Sequence, residues 1–185
     1  MSKAPRSFKN FRICDKCNDL KPPRAHHCSV CQKCVMRMDH HCPWTGNCIG
    51  LKNHKYFICF CFWTIVACTH VAISSFLMNS NCTLWPKIEN IRFSNSFSPL
   101  NTQLVPLLSM SVSFGVTVLL IMHLLFLRNN ETTIESVSLG PNNPFRKLNK
   151  DENISQILGS DKRFWFIPTA PNRDDSNYLN GLQYP

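Results

Sequence analysis

Two uninterrupted apolar runs constrain the fold of this 185-residue chain more than any other feature of its sequence. The first covers residues 56–78 and the second covers residues 104–127, and neither contains Asp, Glu, Lys or Arg. A helix rises about 1.5 Å per residue, so either run is long enough to cross a hydrocarbon core of about 30 Å. We therefore predict two transmembrane helices. Two buried helices of a soluble core are the alternative, but so small a soluble chain rarely contains helices this long and this apolar.

The distribution of positive charge predicts which side of the membrane each segment occupies. The chain carries twenty Lys and Arg and a net charge of +9, yet the loop between the two runs holds only Lys87 and Arg92. Segments rich in Lys and Arg stay on the cytosolic side. Residues 1–55 and 128–185 are therefore predicted to be cytosolic, and the loop is predicted to lie in the lumen or outside the cell.

A cluster of metal-binding residue types precedes the first apolar run. Disulfides are one interpretation, but no signal peptide is predicted at the N-terminus, and the charge bias places the cluster in the reducing cytosol. Cys-x2-Cys pairs mixed with histidines are typical of zinc sites. Two tetrahedral sites need about eight donors, so three donors are left over, and counting alone does not decide which. The donors are Cys14, Cys17, His26, His27, Cys28, Cys31, Cys34, His40, His41, Cys42 and Cys48.

These features predict a membrane α-helical protein with a cytosolic zinc-binding, cysteine-rich domain of short hairpins and loops. Its polar tail is turn-rich at the end, so residues 169–185 are predicted to be disordered. The predicted segments are an N-terminal segment 1–10, the cysteine-rich domain 11–55, a helix 56–78, a lumenal loop 79–103, a helix 104–127, a cytosolic tail 128–168 and the final segment 169–185.

The letters DHHC at residues 39–42, followed by PW and a further cysteine, carry a family resemblance. The cysteine-rich segment around them, residues 11–56, resembles that of the DHHC protein S-acyltransferases, or palmitoyltransferases. The resemblance implies two interleaved structural zinc sites, so that the adjacent residues His27 and Cys28 bind different ions. One site is implied for Cys14, Cys17, His27 and Cys34, and the other for Cys28, Cys31, His41 and Cys48.

Three donors remain outside those two sets, namely His26, His40 and Cys42. The resemblance implies that Cys42 is the nucleophile that accepts the acyl group, that His40 takes its proton, and that Asp39 orients His40. A thiol has a pKa near 8.5 and attacks as the thiolate, so a neighbouring imidazole is a suitable proton acceptor. For His26 we expect a structural hydrogen bond. The alternative to a catalytic role for Cys42 is a zinc ribbon with a purely structural role.

Two motifs in the cytosolic tail extend the resemblance. TTIE at residues 132–135 resembles the TTxE motif of the family, which implies supporting roles for Thr132, Thr133 and Glu135 and a hydrogen bond from a threonine hydroxyl to Asp39. The alternative is an ordinary helix cap. Residues 153–168 resemble the C-terminal segment of the family, in which Asn153 makes a buried polar contact to the membrane domain. An amphipathic turn is the alternative there.

The implied reaction is transfer of a long-chain acyl group, such as palmitoyl, from acyl-CoA through Cys42 to cysteines of substrate proteins. The partners implied are cytosolic and membrane-associated proteins with free cysteines, together with membrane lipid. Nucleic acid is not expected, because no recognition-helix pattern follows the ligands. The location implied is the endomembrane system (Golgi or ER) or the plasma membrane. Basic residues expected to meet the CoA headgroup, if they are not simply solvated, are Arg24, Lys33, Arg37, Lys52 and Lys55.

Family members typically carry four spans, two of them before the cysteine-rich domain, and this sequence contains only the two that follow it. We therefore expect the catalytic portion of an acyltransferase. Whether this portion is active by itself is left open. The alternative function is a truncated, non-catalytic, membrane-anchored zinc module that binds partners or competes with the full-length enzyme.

Overall fold

The computed structural model describes residues 12–79, 99–146 and 149–172. The predicted segment 1–10, most of the predicted loop 79–103 and most of the predicted disordered segment 169–185 lie outside these residues. The described elements are six short strands, four α-helices and two 3-10 turns. They are β1 Arg12–Cys14, β2 Asp19–Lys21, β3 His26–Cys28, β4 Lys33–Val35, β5 His40–Cys42, β6 Asn47–Ile49, α1 His54–Asn79, α2 Pro99–Arg128, α3 Thr133–Ser138, Gly140–Asn142, α4 Lys150–Leu158 and Lys162–Phe164.

The six strands form three separate antiparallel hairpins, β1–β2, β3–β4 and β5–β6. The central residue pairs of the second and third hairpins are His27 with Cys34 and His41 with Cys48, whereas the first hairpin pairs Ile13 with Leu20. Isolated two-stranded hairpins are marginally stable in water. Strands of three residues therefore need additional cross-links, and the paired His and Cys side chains are placed to supply them through metal.

The three hairpins share one turn geometry. Each loop has four residues, and the fourth has a positive φ, at 51° for Asn18, 52° for Gln32 and 58° for Gly46. Gly and Asn adopt this left-handed conformation at low cost, which suits two of the three positions. The first cysteines of the three hairpins are therefore equivalent, and they recur at an interval of fourteen residues as Cys14, Cys28 and Cys42.

A close backbone approach joins the second and third hairpins. The amide of Leu51, after β6, donates to the carbonyl of Met36, after β4, at 3.0 Å. The amide of Asp39 donates to the carbonyl of Ile49 at 2.8 Å and extends the ladder of the third hairpin. A Cβ on Gly50 would lie 2.7 Å from Val35 Cγ1 and 2.8 Å from the carbonyl oxygen of Met36. Only glycine fits this position, so Gly50 allows the two hairpins to pack.

The chain divides into two compact units, one formed by Met1–Cys59 and His123–Pro185 and the other by Phe60–Met122. The second unit contains most of α1 and α2, and the hydroxyls of Thr69 and Ser113 lie 3.1 Å apart within it. Large apolar side chains on both helices are exposed, including Trp63 at 51% and Phe114 at 73%. A soluble core would bury such residues, whereas lipid accepts them.

Residues His54–Leu77 and Gln103–Arg128 are long and apolar enough to cross a membrane. The predicted membrane-helical fold class with a hairpin domain is therefore confirmed. Both helices begin before the predicted apolar runs, and the polar side chains of His54 and Lys55 at the start of α1 are buried.

The first unit also contains the two short helices of the tail. α3 begins with a reciprocal cap, in which the amide of Glu135 donates to Thr132 Oγ1 at 3.3 Å and the amide of Thr132 donates to Glu135 Oε2 at 3.0 Å. The helix-cap interpretation of TTIE is therefore correct as local structure. In α4, Asn153 is fully buried and its Nδ2 donates to the carbonyl of Arg128 at 2.9 Å, which satisfies a carbonyl at the end of α2.

Candidate functional site

The first set of potential metal ligands joins the first two hairpins. Cys14 and Cys17 come from the turn of the first hairpin, and His27 and Cys34 form a cross-strand pair of the second. One donor atom from each of the four residues lies within 4.8 Å of the others. The shortest described separation is 3.1 Å, between Cys17 Sγ and His27 Nδ1.

The second set repeats this design one hairpin later. Cys28 and Cys31 come from the turn of the second hairpin, and His41 and Cys48 form a cross-strand pair of the third. His41 Nδ1 lies 3.4 Å from Cys31 Sγ and 3.7 Å from Cys28 Sγ. The sulfurs of Cys31 and Cys48 are 3.4 Å apart.

Both sets fit zinc. Bond lengths of about 2.3 Å to sulfur and 2.0 Å to nitrogen in a tetrahedron place neighbouring ligand atoms about 3.5–3.8 Å apart, and the separations within each set are close to these values. When bound, each zinc ion supplies folding free energy and cross-links one hairpin to the next. The structure thus brings together the same eight residues, in the same two sets, that the family resemblance implied.

The remaining donors of the hairpin domain lie outside both sets, and two of them share a strand face. His40 and Cys42 are two positions apart on β5, so their side chains point to the same side. Cys42 is 3% exposed, and His40 Nδ1 donates to Asp39 Oδ2 at 2.7 Å. The other ring nitrogen of His40, Nε2, is thereby left to accept a proton. His26, the third remaining donor, is half-buried on β3.

The carboxylate of Asp39 is fully buried and accepts hydrogen bonds from Thr133 of the tail. The backbone amide of Thr133 donates to Oδ1 at 2.9 Å, and the Thr133 hydroxyl donates to Oδ2 at 2.8 Å. The hydrogen bond that the resemblance implied for TTIE is therefore present. With His40, three donors fix the orientation of Asp39, and Asp39 in turn fixes His40.

The surroundings of this group raise the pKa of the His40 imidazole and lower the pKa of the Cys42 thiol. Burial raises the pKa of Asp39, but the hydrogen bond from His40 and the other polar neighbours outweigh it and hold that pKa well below its ordinary value. The hydrogen bond to Asp39 raises the pKa of His40 against the opposing effect of burial. Burial raises the pKa of Cys42, yet hydrogen bonds from Thr45 and His40 outweigh it, so the net shift is downward. A lowered thiol pKa increases the fraction of the nucleophilic thiolate.

A buried ion pair fastens the TTIE turn to the hairpin domain. Arg24 Nε and Nη2 donate to the two carboxylate oxygens of Glu135 at 2.5 Å and 2.7 Å. Arg24 also donates to the side-chain and backbone oxygens of Asn130 at 3.0 Å and 2.9 Å. The two charged side chains are 2% and 4% exposed. Because Glu135 lies two residues after Thr133, this pair holds the turn that supports Asp39.

The five basic residues predicted to meet CoA are placed differently from one another. Arg24 is paired with Glu135, and Arg37 is 1% exposed, with Nη1 lying 3.4 Å from His54 Nδ1. Lys55 is 2% exposed. Burial of these three side chains argues against a direct contact with a CoA headgroup. Lys33 and Lys52 are exposed and line a cavity of about 370 Å³ between the second and third hairpins. A contact with the CoA headgroup therefore stays a prediction for these two lysines.

The sequence did not predict two rings beside His40, those of Phe57 and His123, or the ring of His54 beside His123. The centroids of Phe57 and His123 lie 5.2 Å and 5.5 Å from that of His40. His123 Nδ1 lies 3.8 Å from Asp39 Oδ2, and the ring of His54 lies 5.7 Å from that of His123. A histidine inside an otherwise uncharged membrane run was the signal that could have indicated His123, since polar groups at such positions are costly and usually functional.

Comparison with known proteins decides the family. A family model described as DHHC palmitoyltransferase matches residues 7–139. Probable protein S-acyltransferase 14 of Arabidopsis thaliana is 38% identical over 188 residues, covering 97% of this chain and 58% of that protein. Palmitoyltransferase ZDHHC15 of Homo sapiens is 34% identical over 174 residues, covering 90% of this chain and 49% of that protein. The chain belongs to the DHHC palmitoyltransferase family.

As a DHHC family member, the chain contains both potential zinc sites and the Asp39, His40 and Cys42 group in one unit. It spans between 49% and 58% of the length of these two relatives.

Proposed function

We propose that this chain is the catalytic portion of a protein S-acyltransferase that moves a long-chain acyl group, such as palmitoyl, from acyl-CoA to cysteines of substrate proteins. One observation carries the proposal. Cys42 lies outside both sets of potential zinc ligands, next to a His40 side chain that is hydrogen-bonded to a buried Asp39. An activated cysteine beside an oriented imidazole is a common arrangement for nucleophilic acyl transfer.

In the first step, the thiol proton of Cys42 passes to Nε2 of His40, and Asp39 stabilises the resulting imidazolium through Nδ1. The sulfur of Cys42 attacks the thioester carbonyl carbon of acyl-CoA. The carbon–sulfur bond to CoA breaks, and the CoA sulfur leaves with the proton that His40 returns. The products are an acylated Cys42 and free CoA thiol.

In the second step, the thiol of a substrate cysteine gives its proton to His40 and attacks the acyl carbon on Cys42. The bond to Cys42 breaks, and the proton returns from His40 to the Cys42 sulfur. A thioester is exchanged for a thioester in both steps, so the reaction needs no energy source. The contribution of the protein is to position the groups and to form the thiolate.

The proposed location is the cytosolic face of an endomembrane or the plasma membrane, with the hairpin domain and the tail in the cytosol. The charge asymmetry of the sequence supports this orientation. Acyl-CoA would approach from the cytosol with its chain among lipid and helices, and exposed Lys33 and Lys52 are the proposed contacts of its headgroup. The proposed partners are cytosolic and membrane-associated proteins with free cysteines.

The test is acyl labelling of the zinc-loaded chain in lipid nanodiscs. The chain is incubated with an alkyne analogue of palmitoyl-CoA, and the labelled residue is located by peptide mass spectrometry. The proposal predicts a hydroxylamine-labile label on Cys42 that disappears in Cys42→Ser. Cys68→Ser is the matched control, because Cys68 lies in α1 within the second unit, and its replacement should leave the label in place.

A zinc-loaded chain without label on Cys42 would contradict the proposal. That result would select the second candidate, a non-catalytic membrane-anchored zinc module that binds partners or competes with the full-length enzyme. The chain spans about half the length of palmitoyltransferase ZDHHC15 of Homo sapiens.

A further inference from the structure

The turn of the third hairpin has the same construction as the turns of the first two hairpins, with one potential zinc ligand changed. In each hairpin the first cysteine ends the first strand and pairs across the ladder, with Asp19, Lys33 and Asn47 as the respective partners of Cys14, Cys28 and Cys42. The residue at the fourth loop position has a positive φ in all three. Cys42 therefore occupies the position that holds a potential zinc ligand in the other two hairpins.

The difference lies three residues after the first cysteine. The first hairpin has Cys17 there and the second has Cys31, and both belong to the potential zinc sets. The third hairpin has Thr45, whose hydroxyl donates to the carbonyl of Cys42 at 3.4 Å. Thr45 is exposed on the loop. A threonine hydroxyl is a poor zinc ligand beside thiolate and imidazole, so this hairpin lacks the two-sulfur chelate of the others.

Cys42 also lacks the cross-strand His and Cys pair of a following hairpin, which completes each of the two zinc sets. Each zinc set combines the loop cysteines of one hairpin with the cross-strand His and Cys of the following hairpin. No hairpin follows the third within the described residues, because α1 begins at His54, five residues after β6 ends at Ile49. Cys42 thus has neither a second sulfur in its own loop nor a ligand pair from a following hairpin.

We propose that the third hairpin is a zinc-binding turn that lacks its second sulfur, and that Thr45, at the position of that sulfur, is the difference within the hairpin that keeps Cys42 free of metal. The geometry that elsewhere presents a cysteine to zinc here presents the same sulfur, uncoordinated, to His40. The use of that sulfur in acyl transfer rests on the proposed function. Its freedom from metal rests on the hairpin geometry alone.

The test restores a ligand at the changed position and needs no acyl transfer. The whole chain in nanodiscs is prepared with a phosphine reductant as wild type, Thr45→Cys and Thr45→His. Zinc is then added above the amount that fills the two structural sites. Two quantities are measured, namely bound zinc per chain and the rate at which iodoacetamide alkylates Cys42, resolved by peptide mass spectrometry.

In the wild type, we expect two zinc ions per chain and a Cys42 alkylation rate that added zinc does not change. In Thr45→Cys, the sulfurs of Cys42 and the new thiol together with His40 supply three donors, and water can take the fourth position. We therefore expect a third zinc equivalent and a fall of about ten-fold or more in the Cys42 alkylation rate when zinc is added, because a thiolate bound to metal is a weak nucleophile. Thr45→His should show the same zinc-dependent protection, and it keeps the proposal testable if the additional cysteine disturbs folding.

Trp44→Cys is the matched control. Trp44 is 91% exposed and lies one position before Thr45 in the same loop, so it adds a thiol without completing the two-sulfur chelate. Zinc should not protect Cys42 in this variant. Each variant is compared with itself before zinc is added. The proposal is overturned if neither Thr45 variant binds a third zinc ion and added zinc does not slow the alkylation of Cys42 in either, or if zinc protects Cys42 equally in Trp44→Cys.

The two readouts separate this inference from the proposed function. A wild-type chain that fails to acylate Cys42, but whose Thr45→Cys variant captures a third zinc, supports the hairpin inference and contradicts the acyltransferase proposal. A wild-type chain that acylates Cys42, and whose Thr45 variants gain no zinc, supports the acyltransferase proposal and contradicts the hairpin inference.

Discussion

Replacement of Arg24 by methionine is expected to destabilise the first unit strongly, because it leaves the carboxylate of Glu135 buried without its cation. The wild-type pair makes two charge-assisted hydrogen bonds, at 2.5 Å and 2.7 Å, and both side chains are almost fully buried. Removing one partner of a buried ion pair typically costs about 3–5 kcal/mol. After the replacement, the described donor that remains to Glu135 from elsewhere is the amide of Thr132 at 3.0 Å, so we expect a cost in the upper part of that range.

Replacement of Glu135, the acidic partner of the pair, should lower the free energy of unfolding by less. Glu135→Gln leaves Arg24 with the two oxygens of Asn130 at 3.0 Å and 2.9 Å as acceptors, and glutamine at this position can still cap α3. We expect a cost of about 2–3 kcal/mol, near the value of hydrogen bonds to a charged group. The double variant Arg24→Met with Glu135→Leu should lose less than the sum of the two single effects, because it leaves no unpaired buried charge.

The assay is thermal unfolding of the zinc-loaded chain, followed by tryptophan fluorescence. For a chain of this size, a change of 1 kcal/mol corresponds to about 2–4 °C in Tm, so Arg24→Met should lower Tm by about 10 °C or more. Arg163→Met is the matched control, because Arg163 is paired with Asp161 through a 2.7 Å contact on the exposed surface. Its Tm should match that of the wild type, since exposed ion pairs contribute little. Equal small losses in Arg24→Met and Arg163→Met, or strictly additive single effects in the double variant, would refute the reasoning.

Three further variants probe the site. Thr133→Val removes the hydroxyl that donates to Asp39, and we expect the single-turnover rate of Cys42 acylation to fall about ten-fold, with recovery in Thr133→Ser; an unchanged rate would contradict the supporting role of the TTIE turn. His123→Ala removes the ring packed beside His40 and should lower the same rate about ten-fold without loss of zinc, whereas loss of a zinc equivalent would show instead that His123 binds metal. Cys34→Ser should release one of two zinc ions and expose the cysteines of the first hairpin to alkylation, and retention of both ions would contradict the first ligand set.

The membrane helices and the zinc-binding domain could be predicted because their signals are local in the sequence. An apolar run of more than twenty residues has few other uses in a small chain. Cys-x2-Cys pairs bring two sulfurs to one ion through a single turn, so their spacing alone predicts metal. The pairing of the sets depends on which hairpin follows which, and for that the family resemblance was needed.

The support around Asp39 could not be predicted in detail because its partners are distant in sequence. Arg24 and Glu135 are separated by 111 positions, and nothing near Arg24 distinguishes a buried partner from a solvated cation. Charge alone therefore placed Arg24, Arg37 and Lys55 at a CoA site, whereas the structure buries all three.

The role of Thr45 illustrates a different kind of omission. The interval of fourteen residues from Cys14 to Cys28 to Cys42 was visible in the sequence. Its meaning depended on the shared hairpin register and on the positive φ at Asn18, Gln32 and Gly46, which only the backbone displays. Once aligned in this way, the third repeat shows a threonine where the other two have a cysteine.

The central claim is that Cys42 acts as the acyl acceptor while its neighbours hold two metal ions. Native mass spectrometry of the nanodisc-embedded chain after brief exposure to palmitoyl-CoA tests it directly, because zinc content and acylation are read on the same molecule. The account predicts a species that carries two zinc ions and one acyl group, with fragmentation locating the acyl group on Cys42. Acylation found only on chains that have lost zinc, or located on a different cysteine, would contradict it.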